Sequence, residues 1–316
     1  MILVAGGTGH LGVELVSLLT ASGHRLRILS RTPEHTRRLL GDALEVVAGD
    51  ARDQRSLEDA AAGVEAVISA ITGFGPGGHG PRAVDCEGNR NLVRAAEAAG
   101  AQRFILLSIR GAEARHPMEL ARMKHRAEEA LRASRLDWRI LRPTVFMELW
   151  VGIVGNPIAK TGKATVFGRG DHPVNFISTR DVARFVELAL VDQRLSRQTI
   201  DIGGPENVTF NELVSEVENA IGRRARVRHV PIALMRLARA LMQPLKPDLA
   251  GMIEAGILTD TMDMSFDAAG LQRRFPQIEL TRMTEVVRRQ FSADGAFSRV
   301  PEPRAAGHDV VRSSMK

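Results

Sequence analysis

An α/β fold built on a doubly wound parallel sheet is what three observations in this sequence predict. The chain opens on a strand-sized apolar run that leads straight into glycines at Gly6, Gly9 and Gly12. Strand and helix patterns then alternate through the first half, and several helical stretches close on glycine, at Gly23, Gly63 and Gly100. After Trp150 the rhythm breaks into short strands and unevenly spaced helices, which predicts a second, smaller lobe at the C-terminal end.

The first element is a buried strand over residues 2–5. Residues 11–19 carry apolar side chains at helical spacing, so the glycines fall on the strand-to-helix turn. One glycine permits a tight backbone, one lets a phosphate approach, and one lets helix and strand pack closely, while the helix N-terminus offers free N–H groups to an anion. This is the pyrophosphate site of a Rossmann-type dinucleotide fold, and Gly6, Thr8, Gly9, His10, Leu11 and Gly12 are its candidate residues. The second strand covers residues 25–30. At its end stand Ser30, Arg31 and Thr32, where a fold of this kind presents a carboxylate to the ribose hydroxyls of NAD. With no carboxylate to repel a 2′-phosphate and a guanidinium able to fork onto one, Arg31 points to NADP(H), with NAD(H) the second choice. Arg37 and Arg38 read as solvated.

Further strands are expected at residues 44–48, 66–70, 104–108 and 138–141. Ligands of such sheets lie at the carboxyl ends of the strands, which draws attention to Asp50, to Ser69 through Thr72, to Ser108 and to Pro143 through Phe146. Residues 1–150 form the expected dinucleotide-binding unit, with its sheet completed by a strand near 199–203. Residues 151–294 form the expected mixed substrate lobe, and 295–316, polar and proline-containing, an expected mobile tail. Within the lobe, Thr209 and Glu212 have capping-box spacing. Its methionines, Met235, Met242 and Met252 among them, suit either an adaptable pocket or ordinary helix packing.

Composition narrows the function classes. A chain of 316 residues with 44% hydrophobic and 25% charged residues can bury a substantial core. The net charge of +6 invites a nucleic-acid reading, but the arginines are scattered, and aromatics at 4% with no tyrosine leave few platforms for base stacking. Nucleic acid therefore ranks last among partners. Arg224, Arg226 and Arg228 alternate with Ala225 and Val227 as on a strand with one solvated face. No apolar stretch is long enough to span a bilayer and no secretory pattern opens the chain, so a cytoplasmic protein without a membrane partner is expected. The single cysteine, Cys86, reads as a packing residue, no metal is expected, and the expected partners are a small-molecule substrate and, optionally, further copies of the chain.

Taken together, GGTGHLG, VVAGDARD, NRNLVRAAEAAGAQRFILLS, LRPTVFME and FISTRDVA resemble the short-chain dehydrogenase/reductase superfamily, specifically its atypical NmrA-like and isoflavone-reductase-like branch, across about the first 220 residues. The resemblance implies that Asp50 and Ala51 contact the adenine, that Ser69 and Ala70 line the adenosine ribose with Ile71 beside them, and that the backbone of Pro143, Thr144 and Val145 approaches the nicotinamide. It also implies that Lys124 holds the nicotinamide ribose and that Ser108 assists the chemistry. One departure stands out. The family's proton-donating tyrosine, four residues before the lysine, is replaced by Leu120. Pro117 can start this helix, and Leu120, Met123, Ala127 and Leu131 form its buried stripe with Lys124 at the edge. His116 and His125 are weaker candidates for the proton. Phe146, Met147, Leu149 and Trp150 are candidates for the substrate wall, or else core between the lobes, and the Gly73–Gly80 loop is a candidate cover. The expected function is an NADPH-dependent reductase of a small, fairly apolar carbonyl or unsaturated compound, aromatic or quinone-like. The alternative is a non-catalytic NADP(H)-binding redox sensor or assembly protein.

Overall fold

A computed structural model describes residues 1–75 and 77–291; the tail expected from residue 295 lies outside them. The first half runs β1 (Ile2–Ala5), α1 (His10–Ala21), β2 (Leu26–Ser30), α2 (Pro33–Leu40), β3 (Glu45–Ala48), α3 (Gln54–Ala61) and β4 (Ala66–Ser69). A π-helical segment, Arg82–Gly88, leads into α4 (Asn89–Ala98), then β5 (Arg103–Leu107), α5 (Glu119–Arg132) and β6 (Asp137–Pro143). The second half comprises β7 (Val145–Phe146), α6 (Met147–Thr161), β8 (Lys163–Phe167), β9 (Val174–Ile177), α7 (Thr179–Val191) and β10 (Gln198–Ile202). It continues with β11 (Asn207–Val208), α8 (Phe210–Ile221), β12 (Arg226–Val230), α9 (Ile232–Met242), α10 (Pro247–Thr261), α11 (Ala268–Arg274) and α12 (Met283–Phe291).

Seven parallel strands form the main sheet in the order β10-β6-β5-β4-β1-β2-β3. The chain leaves β1 toward β2 and returns to β4 on its other side, so the switch point lies between β1 and β4, where a crevice for ligand opens. Both faces of the sheet are covered. Ile2 and Val4 pack with Leu11 and Leu15 of α1 and with Val182 and Phe185 of α7, whereas Leu3 and Ala5 pack with Leu57, Leu92 and Leu131 on the opposite side. Burial on two faces is why β1 is apolar at every position instead of alternating.

The expected lobe does not take in all of 151–294, and a strand at the place expected near 199–203 does complete the main sheet. Helix α7 belongs to the sheet's own core and β10 pairs with β6 as the seventh strand. Each large apolar side chain of α7 gains roughly 1.5–3 kcal/mol from that burial, which outweighs its position in sequence among lobe elements. What remains of the lobe has a separate core of Met147, Val151, Phe176, Phe210, Leu213 and Met283. Thr209 and Glu212 form the capping box that their spacing predicts at the start of α8. Strand β12 pairs with β8 in a two-stranded sheet, and Val227 is exposed along with the arginines around it, so this strand has no buried face of the kind its alternation suggested.

Candidate functional site

The three glycines of the first turn carry three separate loads. Gly6 adopts φ +92°, and a Cβ there would lie 2.6 Å from the Ala70 carbonyl oxygen. At Gly12 a Cβ would lie 2.1 Å from the Gly6 carbonyl oxygen, so helix α1 approaches the turn only because that atom is missing. At Gly9 the same direction is open, with nothing nearer than 3.7 Å. Gly9 is also the N-cap of α1, without a side-chain cap and without an acidic residue in the first turn. The donors of that turn are thus left for an anion, and the backbone leaves room for it, which fits a pyrophosphate.

Gly6, Thr8, Gly9, Arg31, Asp50, Ala51, Ala70 and Ile71 line a single cleft of about 270 Å³. Arg31 is exposed at its rim. Its charge reaches Asp50, and it forms no hydrogen bond or ion pair among the described residues. Asp50 is held differently. Arg52 donates from Nε and Nη2 to its carboxylate at 2.6–3.1 Å and from its backbone N–H at 2.9 Å. These donors hold the Asp50 carboxyl at about 2, well below its ordinary value of 3.8. A depressed acid stabilises the fold above its ordinary pKa and loses that contribution as pH falls through the lowered value. The cleft should accordingly keep its Asp50–Arg52 geometry from neutral pH down to the ordinary carboxylate range and come apart only toward pH 2, which a carboxyl-carbon NMR titration of Asp50 would register.

Other expected cofactor residues lie outside this cleft's lining. Ser69 is fully buried beneath it, its hydroxyl donating to Asn89 Oδ1 at 2.5 Å while Asn89 Nδ2 donates to the Asp85 carbonyl. Leu11 packs in the core and Gly12 against Gly6. His10 is accessible yet surrounded by protein, which lowers its pKa, with Glu148 acting in the opposite direction. Pro143, Thr144 and Val145 follow the carboxyl end of β6, but their polar groups serve the fold: Pro143 O accepts from Arg110 N, Thr144 N donates to Ile202 O, and Val145 pairs with Phe176.

Lys124 is buried, with Nζ donating to the carbonyls of Ile71 and Leu107, each at 2.9 Å, and lying 3.1 Å from Asp85 Oδ1. A contact to a ribose requires it to exchange one of these partners. Asp85 was not legible as a site residue in the sequence; it stands in the π-helical segment, fully buried, and its Oδ2 accepts from Gly73 N at 2.8 Å. The carboxylate therefore ties the lysine to the start of the glycine-rich loop. Ser108 is committed as well. Its hydroxyl donates to Glu128 Oε1 at 2.5 Å, and Glu128, itself fully buried, also accepts from Arg132 and from Arg142. With its proton on Glu128, Ser108 braces α5 against β5 and β6 instead of facing a substrate.

Met147 and Trp150 also belong to the fold. Met147 is wholly buried in the lobe core, and Trp150 meets Phe210 edge-on with centroids 4.8 Å apart. Phe146 packs against the main core. A different cavity, of about 350 Å³, opens where the start of α5, the glycine-rich loop and the α9–α10 hairpin converge. Leu120, Met118 and Phe74 supply apolar wall, while Arg239, Gln243 and Glu254 supply polar wall. His79 lines this cavity and the dinucleotide cleft alike. His116 lies beside it, its Nδ1 accepting from Met118 N and its pKa lowered by burial, whereas His125 pairs outward with Glu129. The α9–α10 wall could not be read from the sequence because its residues are more than a hundred positions from Leu120.

Three comparisons bear on this geometry. A family model described as NAD(P)H-binding matches residues 6–193. The photosystem II assembly factor Ycf39 of Synechocystis sp. is 30% identical over 240 residues, 76% of this chain and 73% of that one. An NAD(P)H azoreductase of Xenophilus azovorans is 29% identical over 241 residues, 76% of this chain and 80% of that one. Among solved structures, the triphenylmethane reductase of Citrobacter sp. superimposes with a TM-score of 0.73 at 22% identity, covering 91% of this chain and 99% of that one, which bears on the fold. With a matching family model over more than half its length, and the glycine turn and switch-point cleft in place, the chain belongs to the NAD(P)H-binding family.

Proposed function

We propose that this protein is an NADPH-dependent reductase acting on a small, fairly apolar acceptor held against Leu120. The observation that carries the reading is the meeting of two cavities at His79: the dinucleotide cleft with Arg31 at its rim, and the cavity walled by Leu120, Met118 and Phe74. NADPH, when bound, supplies the hydride. The chain's own residues hold the two reactants together and keep water from much of the apolar wall.

Loss of the tyrosine removes a general acid whose contribution is typically about a hundredfold to ten-thousandfold. Positioning alone can contribute on the order of 7–11 kcal/mol, so turnover survives where the acceptor needs little help with its proton. A quinone, an azo bond or an internally hydrogen-bonded ketone meets that condition, and the azoreductase relative supports it. Purified protein with NADPH and a panel of quinones, azo dyes and aromatic ketones, followed by cofactor absorbance, tests the reading; turnover of at least one class is expected. Leu120→Tyr places a phenol at the vacated position and should raise kcat for a simple aromatic ketone by about tenfold or more, with NADPH affinity unchanged.

A second reading has its own support. Lys124 and Ser108 are both bound up in the fold, and one relative is named as an assembly factor. A protein that binds NADP(H) and turns over none of the panel would act through its bound state.

A further inference from the structure

The α9–α10 hairpin forms the outer wall of the Leu120 cavity, and its other side is bare. Leu234, Leu237 and Leu241 recur at helical spacing along α9, and Leu245, Leu249 and Met252 continue the row into α10. Leu237, Leu241 and Leu245 are 57%, 59% and 73% exposed. The side of α9 turned to the protein carries buried Met235 together with Arg239 and Gln243 of the cavity wall, so this helix does not owe its leucines to the core. Single exposed leucines need no explanation, but six exposed large apolar side chains on one hairpin mark a binding surface.

The charge around the row selects what binds. From residue 222 to residue 247 the chain has seven basic residues and no acidic one. Arg226, Arg228, Arg236 and Lys246 are exposed, and none of them forms an ion pair among the described residues. Of the acidic groups nearest in sequence, Asp248 at the start of α10 is half-buried and lines the Leu120 cavity on the hairpin's other side, Glu218 pairs with Arg224, and Glu254 with Arg239. A second copy docked by two-fold symmetry would set this basic stretch against itself. A protein partner is usually gripped by aromatic anchors, and residues 231–252 contain none. Exposed leucines together with unpaired Arg226, Arg228, Arg236 and Lys246 match the two layers of an anionic lipid surface, the acyl region and the phosphates above it.

We propose that the α9–α10 hairpin seats this protein on anionic membranes, as a peripheral contact. No described helix is long and apolar enough to cross a membrane, and the absence of a spanning segment, from which the sequence predicted no membrane partner, does not bear on interfacial binding. The proposal is independent of whether the protein reduces anything.

The test is cosedimentation of the full chain with vesicles of phosphatidylcholine alone and of equal parts phosphatidylcholine and phosphatidylglycerol, at low and high salt. Binding to the mixed vesicles should be about tenfold or more tighter than to the neutral ones and should weaken with salt. The Leu237→Glu, Leu241→Glu double variant should lose binding by at least about tenfold while keeping its thermal midpoint and NADPH affinity. Absence of binding to the mixed vesicles overturns the proposal, as does a double variant that binds them like the parent. A parent that sediments as a dimer, dissociated by the same substitutions, assigns the face to a second copy and overturns it equally. Should the double variant lose stability, Arg226→Gln with Arg228→Gln, on the exposed β12, must reduce binding to the mixed vesicles or the proposal fails.

Discussion

Replacing Arg31 with glutamate is expected to weaken NADPH by about a hundredfold, near 2.7 kcal/mol, while NADH affinity moves by no more than about threefold. The reason is local. Arg31 lines the dinucleotide cleft at the end of β2, exposed and without a hydrogen bond among the described residues, so a charge-assisted fork onto the 2′-phosphate would not disrupt an existing pair. Reversing its charge removes those bonds and sets a carboxylate where the acidic residue of NAD-binding folds stands. Titration calorimetry with both cofactors reads the result directly. An unchanged NADPH affinity would move the 2′-phosphate elsewhere and return the choice of cofactor to NAD(H).

Glu128→Ala is expected to destabilise the fold by about 3–5 kcal/mol, because it strands two guanidinium groups and a hydroxyl around a buried void. Glu128 is fully buried; Arg142 donates to it at 2.8 and 2.6 Å, Arg132 at 2.8 Å and Ser108 at 2.5 Å. Arg142 is the last residue of β6 before Pro143, and it also donates to the Ala112 carbonyl, so the network fixes where the chain leaves the sheet. A fall in Tm of roughly 5–8 °C should accompany the substitution. Thermal unfolding within about 2 °C of the parent would show that the network contributes little.

Much of the cofactor half of the site was legible in the sequence. Glycine leaves a readable mark where backbone must approach backbone, and Gly6 and Gly12 each answer a steric demand found in the folded chain, while Gly9 leaves the start of α1 open. Arg31, Asp50 and Ala51 follow strand ends, and in a parallel sheet strand ends converge on one cleft. The Leu120 cavity was not legible in this way. Met147 and Trp150 were candidates through their nearness in sequence to β6, yet they fill the core of the lobe, while Phe74, Leu120 and Gln243 reach one cavity from three distant segments. Ser69, Ser108 and Lys124 carry side chains suited to ligand contact, and only their folded neighbours reveal that Asn89, Glu128 and two backbone carbonyls already engage them.

By itself the sequence determined the alternating sheet, its glycine turn and the placing of Arg31 at the end of β2, because these depend on short-range periodicity and on backbone sterics that each segment carries within itself. Only the tertiary structure decided that α7 joins the main core, that Asp85 is paired with Lys124, and that the leucines of α9 stay in solvent. Each of these outcomes is a competition for partners among segments far apart in the chain, and which side chain is left without one is settled only when all of them have packed.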